Sequence, residues 1–183
     1  MYYLKVKRVI GLALLLTMAG LTSIHITKAD DNFSAPNLPP SICDKVQVEA
    51  GNEVAFHAYA IGVQVYKWNG TSWAFVAPIA ILYGDAGYNG QVGIHYAGPT
   101  WESNSGSKVV AARVEGCTPD LTAIPWLKLK AVSTSGPGIF SSATYVQRVN
   151  TTGGLAPTTP GSTIGEVVQV PYTAEYYFYR AEN

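Results

Sequence analysis

From Asp44 onward the chain is a succession of short runs of β-branched and aromatic residues, each closed by Gly, Pro, Asn or Ser, and no segment sustains a helical period. A period of two sends successive side chains to opposite faces of a pleated strand, whereas a packed helix repeats its apolar residues three and four apart over ten or more positions. The rhythm therefore predicts an all-β fold with little or no helix. Its clearest runs are 45–48, 53–60, 63–68, 73–76, 91–96, 108–114, 126–132, 143–149 and 166–179, which predicts about nine to ten strands. Asn69-Gly70 between VQVYKW and TSWAFV is a hairpin signal, because both residues tolerate positive φ. Asn104-Ser105-Gly106 plays a similar part before 108–114. An antiparallel β-sandwich and a closed β-barrel satisfy this pattern equally.

The first 29 residues read differently. Lys5, Lys7 and Arg8 precede a mostly apolar run over 9–24, and Thr27 and Ala29 are small residues placed as a signal peptidase requires. Residues 1–29 are expected to be a signal peptide, with an uncleaved N-terminal anchor as the alternative. Thr17, Gly20, Thr22 and Ser23 interrupt the apolar run and weaken it as a permanent span. No stable membrane span is expected after cleavage, and no cysteine stands near the cleavage point to carry a lipid. Residues 30–42, polar and proline-bearing, are expected to be a flexible leader, followed by a single all-β domain over 43–183. The expected location is secreted or extracytoplasmic, in the periplasm or outside the cell.

Export alters the charge balance. The chain has twelve basic and twelve acidic residues, but Lys5, Lys7, Arg8 and Lys28 all lie in the signal region, leaving eight against twelve and a net charge of −4. These charges are scattered, and nucleic-acid binding requires a basic patch, so a nucleic-acid partner is not expected. Cys43 and Cys117 are the only cysteines. In an exported protein such a pair is expected to form a disulfide; a two-thiolate metal site would call for CxxC or histidine spacing that is absent.

His57 and His95 are the two histidines beyond the signal region. By alternation Val54, Phe56 and Ala58 share one face, and Ala55, His57 and Tyr59 the other. Val92, Ile94 and Tyr96 likewise fall together, leaving His95 beside Gly93 and Ala97, whose small size opens space for a ligand or for a bulky neighbour. If His57 and His95 converge, Glu102 or Asp85 would complete a two-histidine, one-carboxylate set able to hold a divalent metal. No spaced metal motif supports that set, and no other cofactor is expected. His95, Glu102 and Asp85 are also the catalytic candidates, with the two carboxylates as an acid and base pair; solvated turn carboxylates are the competing assignment. No serine lies in a GxSxG elbow, and Gly153-Gly154 opens no helix, which disfavours a serine hydrolase and a phosphate-cradling loop.

Aromatic residues provide a second lead. An exposed ring is a platform for a sugar, whereas a buried one is core. Trp126 alternates with Lys128 and Lys130, opposite Leu127, Leu129 and Ala131, which points it to the wetter side. The ligand-binding candidates are therefore His57, His95, Trp101, Glu102 and Trp126. Toward the C-terminus Tyr172, Ala174, Tyr176 and Phe178 oppose Thr173, Glu175, Tyr177 and Tyr179, so that one set is expected to pack and the other to serve as amphipathic cover.

FHAYAIGVQVYKWNGTSWAFVAP, VGIHYAGPTWESNSGSKVV, AIPWLKLKAV, TYVQRVNTTGGLAP and VPYTAEYYFY follow one another in order over 47–180. Together these blocks resemble an exported bacterial and fungal family catalogued as domain of unknown function 3455. The resemblance implies a single exported all-β domain and carries no reaction with it. In the family's pattern an acidic residue often follows the Ala-Pro of the APxA segment, where this chain has Ile79, which argues against an essential acid there.

Two classes of function follow. One is a non-catalytic binding or surface-interaction module for a carbohydrate or small ligand, including a lipocalin-like carrier if the strands close into a barrel. The alternative is an exported, metal-dependent enzyme using a His/carboxylate site. The enzyme requires His95 and at least one of His57, Glu102 or Asp85 to meet at a common point. A surface sugar platform requires Trp101 or Trp126 to face solvent.

Overall fold

The computed structural model describes residues 34–182. The expected signal peptide, residues 1–29, lies outside the described residues.

Eight antiparallel strands follow one another: β1 Asn52–Trp68, β2 Trp73–Tyr83, β3 Gln91–Tyr96, β4 Thr100–Ser103, β5 Lys108–Cys117, β6 Trp126–Ser135, β7 Tyr145–Gly153 and β8 Val167–Ala181. Each pairs with its neighbour in sequence, and β8 returns to β1 from Asn52↔Ala181 to Lys67↔Val167, closing the sheet into a barrel. Closure gives every strand two partners, so no edge is left to recruit another chain. The all-β class is as expected, and the choice between sandwich and barrel falls to the barrel.

The strand count is eight, for identifiable reasons. Runs 53–60 and 63–68 are one strand, because Gly62 does not turn the chain. A Cβ at Gly62 would overlap the Ile79 carbonyl oxygen and Ala80, so this glycine permits a close approach between β1 and β2. Gly62→Ala is accordingly expected to cost roughly 1–3 kcal/mol, the usual range for forced overpacking. Urea unfolding checks this, and an unchanged midpoint would contradict it. Residues 45–48 are not a strand: Asp44–Val46 forms a 3-10 turn against the outside of the barrel, where the closed sheet offers no edge to pair with. The short β4 arises from Ala97-Gly98-Pro99, which reverses the chain between paired Tyr96 and Thr100. Asn69-Gly70 does form a hairpin, in a four-residue loop in which Asn69 Oδ1 accepts from the N–H groups of Thr71 and Ser72.

Alternation divides the apolar residues into two sets. Inside the barrel lie Ala58, Leu82, Trp101, Phe140, Tyr176 and Phe178 among others. On the outer face a second cluster joins Val46, Val54, Trp126, Val149, Tyr177 and Tyr179 around the Cys43–Cys117 disulfide. Val54 belongs to the outer set although two-residue spacing would place it with Phe56. A bulge between them moves it: Val54 pairs with Tyr179 and Phe56 with Phe178. Residues 38–49 cover this patch. Leu38 packs on it, Gln147 Nε2 donates to the Val46 carbonyl at 2.7 Å, and Lys128 Nζ reaches the Gln47 carbonyl and Glu49, each at 2.9 Å. Of the two aromatic sets in β8, Tyr176 and Phe178 fill the interior while Tyr177 and Tyr179 are buried beneath this cover.

Candidate functional site

A single alternation decides where the candidate residues point. On β3 His95 faces inward and Ile94 outward; on β4 Trp101 and Ser103 face inward and Glu102 outward. His95 and Trp101 are cross-strand partners, and their rings stack at 4.2 Å with a 9° interplanar angle. Tyr176 from β8 meets both rings edge-on, at 5.2 and 5.4 Å. The space expected beside Gly93 is occupied, since a Cβ there would overlap the Glu102 carbonyl oxygen. His95 is instead among the residues that line a cavity.

His95 Nδ1 donates to the Thr100 carbonyl oxygen at 2.8 Å, so the neutral ring keeps Nε2 as an acceptor. Burial, reinforced by the nearby Arg148 charge and opposed by the Thr100 bond, lowers its pKa from 6.5 to about 3. The ring is therefore uncharged at neutral pH.

The other candidates do not join it. His57 lies on the outer face, stacked on Tyr177 at 3.9 Å, with Nε2 2.9 Å from Glu175 Oε2. Glu175 also accepts from Asn150 and Tyr177, and its carboxyl is held below the ordinary range chiefly by His57. Glu102 accepts from Tyr96 at 2.9 Å and pairs with Lys108 at 3.1 Å on the outer face; these two contacts lower its pKa. Asp85 closes its own turn, accepting from the Gly87 and Asn89 backbone N–H groups, which holds its carboxyl down. His57 and His95 are on opposite sides of the barrel wall, so the two-histidine metal set does not form. Among the described residues no group of three or more His, Cys, Asp or Glu is placed to hold a metal ion. Glu102 and Asp85 share no hydrogen-bond partner.

Both tryptophan candidates are buried, Trp101 to 1 % exposure and Trp126 to 8 %. The surface sugar platform is thus not built. Trp126 and Lys128 do share the outward face of β6, as alternation predicts, but residues 38–49 cover it. The Cys43–Cys117 disulfide is formed, with Cα atoms 5.3 Å apart.

What the barrel does contain is a cavity of about 430 Å³ that opens to solvent at exposed Phe75, Pro99 and Arg113, with buried His95, Trp101 and Tyr176 and eight other residues completing its lining. Tyr66, Phe75, Leu127 and Leu129 provide apolar wall, and Gln64, Arg113 and Arg148 provide polar groups. Two buried side-chain atoms have no hydrogen-bond partner among the described residues, Gln64 Nε2 and Trp101 Nε1. Both belong to residues of this wall. Tyr66 is tied by its hydroxyl to the Gly154 carbonyl at 2.7 Å, which fixes one side. Arg148 donates from Nε and one terminal nitrogen to the Pro125 carbonyl, at 3.1 and 2.8 Å.

Gln64 and Arg148 are not among the residues that the sequence singles out. The available signal was a polar residue continuing an inward series: Ala58, Ala60, Gly62, Gln64 and Tyr66 alternate on β1, and Val146 and Arg148 on β7.

The profile of a protein family described as "Protein of unknown function (DUF3455)" matches residues 49–180. The chain belongs to this family. No curated protein and no solved structure matches it.

Proposed function

We propose that this DUF3455 protein is an exported, non-catalytic binding module that takes a small ligand into the barrel interior. The observation that carries the reading is the cavity of about 430 Å³ whose wall includes two buried donors, Gln64 Nε2 and Trp101 Nε1, without protein partners. Buried polar groups in native proteins are nearly always satisfied, and leaving one unmet costs about 1–3 kcal/mol. Both atoms have under 1 Å² of accessible surface, so a ligand acceptor removes that cost only by shifting the side chain that carries it. The volume lies within the roughly 300–1,000 Å³ of small-molecule sites, and eight-stranded barrels commonly hold one such ligand. Export is supported by the basic and apolar character of residues 1–24 and agrees with the disulfide.

The test uses the neutral fluorophore N-phenyl-1-naphthylamine. Its emission should rise and saturate at one molecule per chain, and Leu127→Trp, which narrows the cavity, should weaken binding at least tenfold while the variant keeps a cooperative melt. Emission that never saturates, or saturable binding indifferent to Leu127→Trp in a folded variant, would remove the cavity as the site. Gln64→Met should raise stability by about 1 kcal/mol or more, because it deletes an unsatisfied donor at nearly constant shape. A loss of stability in urea unfolding would show that Gln64 is satisfied already.

A further inference from the structure

The charge of the wall goes beyond its volume. Arg113 and Arg148 line the cavity and no aspartate or glutamate does. The ion pairs among the described residues are His57–Glu175, Lys108–Glu102, Lys128–Glu49 and Arg180–Glu53, so neither cavity arginine has a carboxylate partner. Arg113 is exposed at the rim, while Arg148 is half-buried.

A guanidinium offers five N–H donors, and Arg148 uses its Nε and one terminal nitrogen on a neutral carbonyl. Its charge is felt inside: it disfavours protonation of His95 and opposes the effect of burial at Tyr66, Tyr172 and Tyr176. A partly buried cation facing only neutral groups lacks the pairing that normally offsets its desolvation. His95 cannot supply that pairing, because an imidazole carries no negative charge in either protonation state. The two orphaned atoms, on Gln64 and Trp101, are likewise N–H donors. Of these groups the half-buried Arg148 guanidinium is the accessible one, and it calls for a negatively charged acceptor.

Resting on the reading of the barrel as a ligand-binding module, we infer that its ligand is an apolar organic anion: a ring-sized hydrocarbon body lying against Phe75, Pro99, Pro125 and Leu127, the apolar lining residues that keep accessible surface, with one carboxylate or equivalent acid group drawn to Arg148. A charge-assisted, fork-like contact between guanidinium and carboxylate is the strong geometry for such a pair. A sugar matches this wall less well. Its many hydroxyls need a comparable number of donors and acceptors, and much of this wall is aromatic or aliphatic.

Displacement of N-phenyl-1-naphthylamine from the disulfide-intact protein by 1-naphthylacetate and by its neutral isostere 1-naphthylacetamide, at pH 7.5, separates the possibilities. The acid is expected to bind at least tenfold more tightly than the amide. Arg148→Gln should abolish that preference by weakening the acid and leaving the amide within about twofold. If Arg148→Gln does not fold, Arg148→Lys serves instead: it keeps the charge without the fork and should reduce the ratio without inverting it. An amide bound as well as the acid by the wild-type protein overturns the anion inference while leaving the binding module standing. A preference that survives unchanged in the folded Arg148 variant removes Arg148 as its source. If the fluorophore never binds and neither naphthalene compound raises the melting temperature, the underlying reading fails as well.

Discussion

Replacing Cys43 and Cys117 together by alanine is expected to lower the free energy of unfolding by about 4–5 kcal/mol. The two cysteines are 74 residues apart in sequence, and closing a loop of that size removes about this much unfolded-state entropy in the chain-entropy treatment. The bridge also secures a cover. Cys43 leads into the 3-10 turn that lays Val46 over Val54, Val149, Tyr177 and Tyr179, and Cys117 fixes it to the end of β5 beside Trp126. Without the bridge, detachment of residues 38–49 would uncover those side chains and leave Gln147 Nε2, Lys128 Nζ and the Val46 carbonyl without their present partners. Urea unfolding of the oxidised wild type against the double variant measures the difference. A loss below about 1 kcal/mol would mean that the cover holds by packing alone.

The second large effect appears in acid. In the folded protein His95 stays neutral down to about pH 3, whereas the unfolded chain protonates it near its ordinary 6.5. Between those values the unfolded state binds the extra proton, so the stabilising contribution is present above pH 6.5 and is lost as pH falls toward 3. The slope is about 1.4 kcal/mol per pH unit, which amounts to roughly 3 kcal/mol by pH 4.5. Glu49 and Glu175, held below their ordinary pKa by partners, add acid sensitivity at lower pH. They are common to wild type and variant, so His95→Gln isolates the histidine. The variant should be the less stable protein at pH 7.5, and the gap should narrow steadily as pH falls from 6.5 to 4.5. Parallel loss of stability in the two proteins over that window would show that His95 protonates without unfolding the barrel.

How much of this was legible in advance differs from residue to residue. The alternation at 172–179 correctly separates Tyr176 and Phe178 from Tyr177 and Tyr179, because side-chain direction in a strand is local geometry. It does not say which set meets the interior, and it fails at Ala55, where one extra residue moves Val54 to the opposite face from Phe56. His95 and Trp101 stand six residues apart in a block that drew attention for its composition, and they do meet across β3 and β4. Glu102, their neighbour in the same block, is turned away from them by the same two-residue period. Trp126 and Lys128 have the predicted common face, but exposure is not local: it depends on residues 38–49, about eighty positions earlier in the chain.

The order of residues alone specifies the all-β class, the hairpins at Asn69-Gly70 and Asn104-Ser105-Gly106, the family, and the identity of the two cysteines able to pair. Those properties follow from backbone preferences, side-chain period and residue counts, which short stretches of chain carry whole. The closure of the sheet, the placement of His57 and His95 on opposite sides of its wall, and the gathering of Gln64, Trp101 and Arg148 around one cavity come from the assembled barrel. Which side of a strand is inside depends on strand pairing, and β1 meets β8 more than a hundred residues later. Closure converts alternating faces into an interior and an exterior, and with it a scattered set of side chains becomes a site.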